Sequence, residues 1–137
     1  MVEKNLENGQ APPEALIAGF VEANTALMAT PIKFMTSGTT CVSLYVKGNT
    51  FWVANCGDSR AVMAVQGADG EIIAHNLSRD HKPDDPEEAQ RIREWGGYVS
   101  PPPEPGLSSR VWLDPAYTMI GLAMARSIGT ECYSVPC

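Results

Sequence analysis

The segment most informative about the fold lies at residues 54–62, which read Ala-Asn-Cys-Gly-Asp-Ser-Arg-Ala-Val. An apolar run ends at Ala54, and another begins at Ala61. Apolar runs on either side of a short polar interruption predict two strands that meet at a polar edge. Loops supported by a rigid sheet are common positions for functional side chains, so we expect an active-site edge here.

Four β-rich runs surround this interruption, at residues 41–46, 51–56, 61–65 and 71–75. A Lys-Gly-Asn-Thr turn separates the first two, and Gln-Gly-Ala-Asp-Gly separates the last two. Both linkers have the composition of tight turns. We therefore expect residues 41–46 and 51–56 to form an antiparallel hairpin, and the four strands together to form an antiparallel sheet.

Helical patterns lie outside these strands. Apolar residues recur at three- and four-residue steps from Pro12 to about Met28, which predicts a core-facing helix. Asp85 is a favourable N-cap, and it predicts a second helix that ends at Trp95 before two glycines. Residues 122–128 are predicted to begin a third helix. The start of the chain is expected to be irregular, and the proline-rich residues 100–106 are expected to form a loop.

The composition limits the partners. The 137 residues are 44% hydrophobic and carry 10 Lys+Arg against 16 Asp+Glu, a net charge of −6. The chain is long enough for one domain with a core. No basic cluster with interleaved aromatic residues is present, which argues against nucleic acid as a partner. No apolar run is long enough to span a membrane, and no signal-peptide pattern is seen, so we expect a cytoplasmic or nuclear protein without membrane contact.

The four cysteines are Cys41, Cys56, Cys132 and Cys137. They form no Cys-x-x-Cys pair and have no histidine at zinc-ligand spacing. This pattern favours free thiols over a disulfide framework or a zinc site.

Further motifs occur in a fixed order around residues 54–62. Ser-Gly-Thr-Thr occupies residues 37–40, Leu-Ser-Arg-Asp-His-Lys-Pro occupies residues 77–83, and Gly-Leu-Ala-Met-Ala-Arg-Ser-Ile-Gly occupies residues 121–129. Over roughly residues 14 to 129, this series resembles the PP2C (PPM-type) family of metal-dependent protein serine/threonine phosphatases. Several motifs in register are far more specific than any one of them.

The resemblance implies an α+β fold, an αββα sandwich of two antiparallel sheets flanked by helices, which is incomplete in this chain. It divides the sequence into a polar N-terminal segment at 1–13, a partial phosphatase domain at 14–130 and a divergent tail at 131–137. It also implies hydrolysis of phosphoserine and phosphothreonine by metal-activated water, with Mg²⁺ or Mn²⁺ as cofactor and a phosphoprotein as substrate.

The aspartate inventory bears on this activity, because the family takes its metal ligands from an early Glu-Asp pair, an Asp-Gly-His block and late aspartate motifs. The aspartates here are Asp58, Asp69, Asp80, Asp84, Asp85 and Asp114. Thr130 stands where the family's late Ser-Arg-x-x-Gly-Asp motif has its aspartate. No catalytic residue can therefore be assigned, and we expect little activity from this chain by itself.

Asp58 is the candidate metal ligand. The resemblance places it at the family's Gly-Asp-Ser-Arg aspartate, which lies near the metal centre and in several members binds a weaker third ion. The alternative is a structural role, in which Asp58 caps a turn by accepting backbone N–H groups. The two roles are compatible.

Three further polar residues have competing interpretations. We interpret Arg60 as forming a structural salt bridge with Asp80 or a neighbouring carboxylate, rather than as contacting the substrate. His81 is interpreted as holding a strand-to-helix corner through side-chain-to-backbone bonds rather than as a catalytic acid, and His75 as an ordinary strand residue.

Two other segments also have competing interpretations. Residues 37–40 have no adjacent base and no Gly-Lys-Ser/Thr pattern, so a tight strand entry with packed hydroxyls is favoured over a nucleophile or a phosphate cradle. Residues 98–120 correspond to the family's variable flap. Trp112 and Tyr117 are either exposed recognition residues there or, for Trp112, packed beneath the loop.

Two functions stay open. The first is a metal-dependent protein serine/threonine phosphatase. The second is a non-catalytic, pseudophosphatase-like interaction module or a truncated fragment. The physiological substrate and the oligomeric state cannot be read from the sequence.

Overall fold

The computed structural model describes residues 1–32 and 37–130. The helices in these residues are α1 Val2–Glu7, α2 Pro12–Met28 and α3 Pro86–Glu94. The strands are β1 Gly38–Thr39, β2 Cys41–Lys47, β3 Thr50–Cys56, β4 Val62–Gln66, β5 Ile72–Asn76, β6 Tyr98–Ser100, β7 Arg110–Trp112 and β8 Ile128–Gly129. This mixture of helices and antiparallel strands is the α+β class that the sequence predicts.

Helix α2 forms where the apolar periodicity predicts it, and it buries Ala15, Leu16 and Phe20. The expectation of an irregular start is wrong, because α1 precedes it and packs against it. Asn5 lies in this contact: it is 6% exposed and donates from Nδ2 to Glu22 Oε1 at 3.2 Å. Tertiary packing thus stabilises a helix that is too short to form by itself.

The predicted hairpin is confirmed. Strands β2 and β3 pair antiparallel, with Cys41 opposite Cys56 and Lys47 opposite Thr50. Strands β4 and β5 form a second antiparallel hairpin, close to the predicted bounds. Tyr45 and Trp52 lie opposite each other on the first hairpin and stack with ring centroids 5.7 Å apart.

The prediction of one sheet from these four strands is not confirmed. Within the described ranges, β2–β3 and β4–β5 are separate two-stranded sheets, as are β1–β8 and β6–β7. Residues 57–61 carry the chain from β3 to β4, and their hydrogen bonds go to side chains and to the loop after β5 rather than to a neighbouring strand. The polar interruption therefore separates the hairpins.

Helix α3 has the predicted caps. The Asp85 carboxylate accepts from the Glu87 N–H at 3.1 Å, which satisfies one of the free donors of the first turn. The helix ends at Glu94, and Gly96 follows with a φ of +83°, a conformation that favours glycine.

The helix predicted at residues 122–128 is wrong. Leu122 bridges Val111 in an antiparallel β-bridge, and the Ala125 N–H donates to the His81 carbonyl at 2.8 Å. The segment ends in β8, where Ile128 pairs with Thr39. Long-range partners satisfy the backbone here, so local helix propensity does not decide the structure.

Two small clusters form the core of the described residues. Phe20, Cys56 and Ile128 make the first, which joins α2 to β3 and β8. The second joins α3 to β7 and the segment before β8, and its buried members are Ile92, Val111 and Ala125. The polar loop at 57–61 follows directly after the first cluster.

The outer face of the hairpins is apolar and exposed. Leu44 is 62% exposed and Val62 is 53% exposed, and both border a shallow depression of about 550 Å³ between the hairpins. Other large apolar side chains that are at least partly open to solvent include Val46, Phe51, Ile72 and Ile73. The hydrophobic face of each hairpin therefore lacks a covering layer within residues 1–32 and 37–130.

The expectation of free thiols holds for Cys41. It is wrong for Cys56, which is disulfide-bonded. Cys132 and Cys137 lie outside the described residues. None of the helices in the described part of the chain is long and apolar enough to cross a membrane.

Candidate functional site

The candidate site is the turn that follows β3, at residues 57–61. Gly57 has a φ of +103°, which L side chains rarely adopt. A Cβ atom at this position would also lie 2.8 Å from Thr40 Cβ. The turn is therefore built on a residue that must be glycine, and it brings Asp58, Ser59 and Arg60 to the same end of the hairpin.

His81 holds this turn from the opposite side. Its Nδ1 accepts from the Gly57 N–H at 3.1 Å, and its backbone N–H donates to the Gly57 carbonyl at 3.0 Å. This confirms the prediction that His81 fixes a corner through side-chain-to-backbone bonds. Because Nδ1 accepts this hydrogen bond, it carries no proton. Burial, and then the positive charge of Arg126, lower the pKa of His81 from 6.5, which favours the neutral imidazole.

Asp58 lies directly after Gly57 and forms an ion pair. Its Oδ2 accepts from Lys82 Nζ at 2.7 Å, with the side chains 27% and 35% exposed respectively. Its Oδ1 has no hydrogen-bond donor among the described residues. The sequence predicts Asp58 as a site residue but does not identify Lys82 as its partner, because two residues 24 positions apart in the chain can lie at any distance in space.

Arg60 pairs with Asp80, as the sequence predicts. The contact is bidentate, with Nε to Oδ1 at 2.8 Å and Nη2 to Oδ2 at 3.0 Å. The hydrogen bonds from Arg60 hold the pKa of Asp80 below its ordinary value, although burial opposes them. Because Nε and Nη2 both bind the same carboxylate, Arg60 acts here as a structural link between the turn and the loop after β5.

Glu88 forms an ionic cluster that the sequence does not reveal. Glu88 is 5% exposed and accepts from Arg91 at 2.5 Å and from Arg126 at 2.6 Å. Burial raises the pKa of Glu88, but the hydrogen bonds from Arg126 and Arg91 outweigh it and bring the pKa below 4.5. In the sequence Glu88 is only a first-turn carboxylate of α3, and its partner Arg126 is 38 residues away.

The Ser-Gly-Thr-Thr motif at residues 37–40 supports the same turn. Thr40 Oγ1 lies 2.7 Å from Ser59 Oγ, and β1 pairs with β8. The prediction of a tight strand entry with packed hydroxyls is confirmed. Thr130 is 3% exposed, and its Oγ1 accepts from Ser127 at 3.2 Å, so this position provides a buried hydroxyl rather than a carboxylate.

A cavity of about 380 Å³ lies between α2 and β3, and His81 and Arg126 contribute polar groups to its wall. Asn55 also lines it and donates from Nδ2 to the carbonyls of Gly57 and Arg79, both at 3.0 Å. The buried Asn55 Oδ1 has no hydrogen-bond partner in the described ranges. This cavity is thus apolar on the helix side and polar beside the turn.

The flap segment combines a packed and an exposed aromatic residue. Trp112 is half-buried, and its Nε1 donates to Ser100 Oγ at 2.9 Å. Tyr117 is 44% exposed, and its ring lies 5.8 Å from the ring of Trp112. Of the two interpretations, packing beneath the loop describes Trp112, and exposure describes Tyr117.

The family resemblance implies a bound Mg²⁺ or Mn²⁺, and carboxylates are the side chains that would hold such an ion. Residues 1–32 and 37–130 contain no group of three or more His, Cys, Asp or Glu side chains arranged to hold a metal. Mg²⁺ binds through one or two carboxylates and retains several waters, so the Asp58 carboxylate fits as one ligand. It does not form a metal centre by itself.

Comparison with known proteins agrees with this geometry. The family profile "Protein phosphatase 2C" matches residues 2–135. The chain is 44% identical over 96 residues to "Probable protein phosphatase 2C 14" of Oryza sativa subsp. japonica, which covers 70% of this chain and 18% of that protein. It is 38% identical over 138 residues to "Probable protein phosphatase 2C 33" of Arabidopsis thaliana, which covers 96% of this chain and 28% of that protein. The chain thus spans well under half the length of these two relatives.

A solved structure shows the same fold. The "Crystal structure of serine-threonine phosphatase 2C from Toxoplasma gondii" superposes with a TM-score of 0.75 over 90% of this chain and 42% of that chain, at 24% sequence identity. This similarity confirms the predicted fold class. The family profile matches nearly the whole sequence, and the fold, with its two hairpins and the turn after β3, agrees with that match. The chain therefore belongs to the protein phosphatase 2C family.

Proposed function

We propose that this chain provides the central part of a protein serine/threonine phosphatase that uses Mg²⁺ or Mn²⁺ to hydrolyse phosphoserine and phosphothreonine in protein substrates. The observation that carries the proposal is the family match over residues 2–135, together with relatives named as protein phosphatases. The bound metal would neutralise phosphate charge and make a water molecule nucleophilic.

The residues of this chain have supporting roles in the proposal. Asp58 provides one carboxylate oxygen at the end of the first hairpin. Gly57 and His81 hold that carboxylate in place through their two reciprocal hydrogen bonds. Arg60 and Asp80 tie the turn to the next loop. A rigid support of this kind keeps a ligand in position before the cation arrives.

A chimera tests the proposal. The matching 28% of "Probable protein phosphatase 2C 33" is replaced by this chain, and hydrolysis of a phosphothreonine peptide is measured with Mn²⁺. We expect metal-dependent turnover that Asp58→Asn lowers by about tenfold or more, since a ligand is lost. Asp69→Asn is the matched control, because Asp69 lies in the exposed turn of the second hairpin. A folded chimera without turnover would contradict the proposal.

The second candidate function is a non-catalytic interaction module. It is favoured by one observation, that Thr130, at the position of the aspartate in the family's late motif, provides a buried hydroxyl rather than a carboxylate. In that case the chimera would bind the phosphopeptide but would not hydrolyse it at any Mn²⁺ concentration. Binding without turnover therefore distinguishes the two functions.

A further inference from the structure

We propose that the ammonium group of Lys82 binds the Asp58 carboxylate in place of a divalent cation. Lys82 must then leave this carboxylate before a cation can bind there. The inference rests on the proposed function only in taking Asp58 as a ligand. Lys82 is then a positioning residue that sets how tightly the site binds metal.

The first support is the contact itself. Lys82 Nζ lies 2.7 Å from Asp58 Oδ2, which is the length of a charge-assisted hydrogen bond. Both side chains are partly exposed, so neither is held by burial alone. An ammonium group so close to a carboxylate repels an approaching divalent cation and competes for the same oxygen.

The second support is the charge balance around the turn. Asp80 is paired with Arg60, Asp85 with Arg79, and Glu88 with Arg91 and Arg126. Each of these three carboxylates has an arginine partner, whereas Asp58 has the ammonium group of Lys82. The arginine pairs with Asp80 and Glu88 are held by two or more hydrogen bonds each.

The third support is the difference between the two kinds of cation. A guanidinium binds both carboxylate oxygens in a bidentate manner, whereas a lysine ammonium binds as a point charge at the end of a flexible side chain. Lys82 contacts Oδ2 and leaves Oδ1 without a donor among the described residues. The basic partner is therefore displaced more easily from Asp58 than from Asp80 or Glu88, which their arginines hold through several hydrogen bonds.

The test is Mn²⁺ binding by the 137-residue chain itself, with no catalytic readout. Free Mn²⁺ is measured by electron paramagnetic resonance, and the bound site is located by paramagnetic broadening of the Gly57 and Ser59 amide signals. We expect Lys82→Met to bind Mn²⁺ about tenfold more tightly than the unaltered chain, because a repelling charge a few ångströms away has been removed. Lys82→Gln should behave in the same way, and it serves if the methionine variant does not fold.

Two controls separate competition from general charge effects. Lys82→Arg keeps the positive charge, so its binding should stay as weak as in the unaltered chain. Lys47→Met removes the same charge at the far end of the first hairpin, about 20 Å away at the usual rise per residue, and should change little. Damage to the structure would weaken binding, whereas this inference predicts stronger binding.

The inference is overturned if the neutral Lys82 variants bind Mn²⁺ no more tightly than the unaltered chain. It is also overturned if the gain persists in the Lys82→Met, Asp58→Asn double variant, because the cation would then lie elsewhere. An inactive chimera leaves this test untouched, since metal binding by the chain does not depend on turnover. The two proposals can therefore fail separately.

Discussion

Gly57 and His81 are joined by two reciprocal hydrogen bonds, from the Gly57 N–H to His81 Nδ1 at 3.1 Å and from the His81 backbone N–H to the Gly57 carbonyl at 3.0 Å. The pair connects the end of the first hairpin to the loop that precedes α3. The Ala125 N–H adds a third contact by donating to the His81 carbonyl at 2.8 Å. His81 therefore joins three parts of the chain at the candidate site.

The first prediction concerns pH. The pKa of His81 is lowered by burial in the folded chain, so between that pKa and the ordinary 6.5 the unfolded chain binds more protons. The stability that the neutral imidazole contributes is present above pH 6.5 and is lost as the pH falls through the folded pKa. We expect the free energy of unfolding, measured by urea denaturation, to decrease as the pH falls below 6.5.

Two variants test the origin of this pH dependence. His81→Gln should flatten it, whereas His75→Gln, on an exposed strand residue, should leave it unchanged. Glu88 contributes with the same sign but only at lower pH, because its ordinary pKa is 4.5. An equal slope in all three proteins would show that His81 does not cause it.

The second prediction concerns the turn. Gly57→Ala should destabilise the fold by about 3 kcal/mol, because it adds a strained φ and a clash with Thr40. Gly70→Ala is the matched control, since Gly70 has a φ of +87° but a Cβ added there would meet no atom within 4 Å, and about 1 kcal/mol is expected. If urea unfolding shows the two variants equally destabilised, the clash between the added Cβ and Thr40 does not contribute to the loss of stability.

The third prediction concerns the ionic cluster. Glu88→Gln should lower the free energy of unfolding by about 3 kcal/mol, because it leaves Arg91 and Arg126 without their shared carboxylate. Glu87→Gln changes a neighbouring side chain that is 84% exposed, so a change below about 0.5 kcal/mol is expected. A small effect at Glu88 would indicate that solvent replaces the lost ion pairs.

The fourth prediction concerns activity. The 137-residue chain by itself should show little or no Mn²⁺-dependent hydrolysis of a phosphoserine or phosphothreonine peptide, since a two-metal centre needs several converging carboxylates. The measurement is phosphate release with excess Mn²⁺, with and without a chelator. Robust turnover that is abolished by the chelator and by Asp58→Ala would contradict this prediction and would require a second set of carboxylates around Asp58.

The fifth prediction concerns association. Leu44 and Val62 expose apolar surface on neighbouring hairpins, so the chain should self-associate as its concentration rises. Leu44→Lys combined with Val62→Lys should raise the monomer fraction in sedimentation velocity. Ala68→Lys adds a charge at an exposed turn and should not. An unaltered chain that stays monomeric at high concentration would refute the prediction.

The sequence by itself determined the local elements whose signals are short in range. The apolar period of α2, the turn between β2 and β3, and the cap at Asp85 each predict structure through neighbours a few residues away. The motif at residues 54–62 also identified the position of the candidate site. The bidentate partner of Arg60 and the corner role of His81 followed from the same motifs.

Only the tertiary structure decided the features that depend on distant partners. Residues 122–128 have helical propensity, but bonds to Val111 and His81 hold them extended instead. Lys82 and Asp58, like Arg126 and Glu88, meet across 24 and 38 residues, and no periodicity encodes such a separation. Local sequence patterns reflect the conformational preferences of residues that are close together in the chain. These ion pairs and bridges depend instead on how the hairpins and α3 pack against each other, which the whole chain determines.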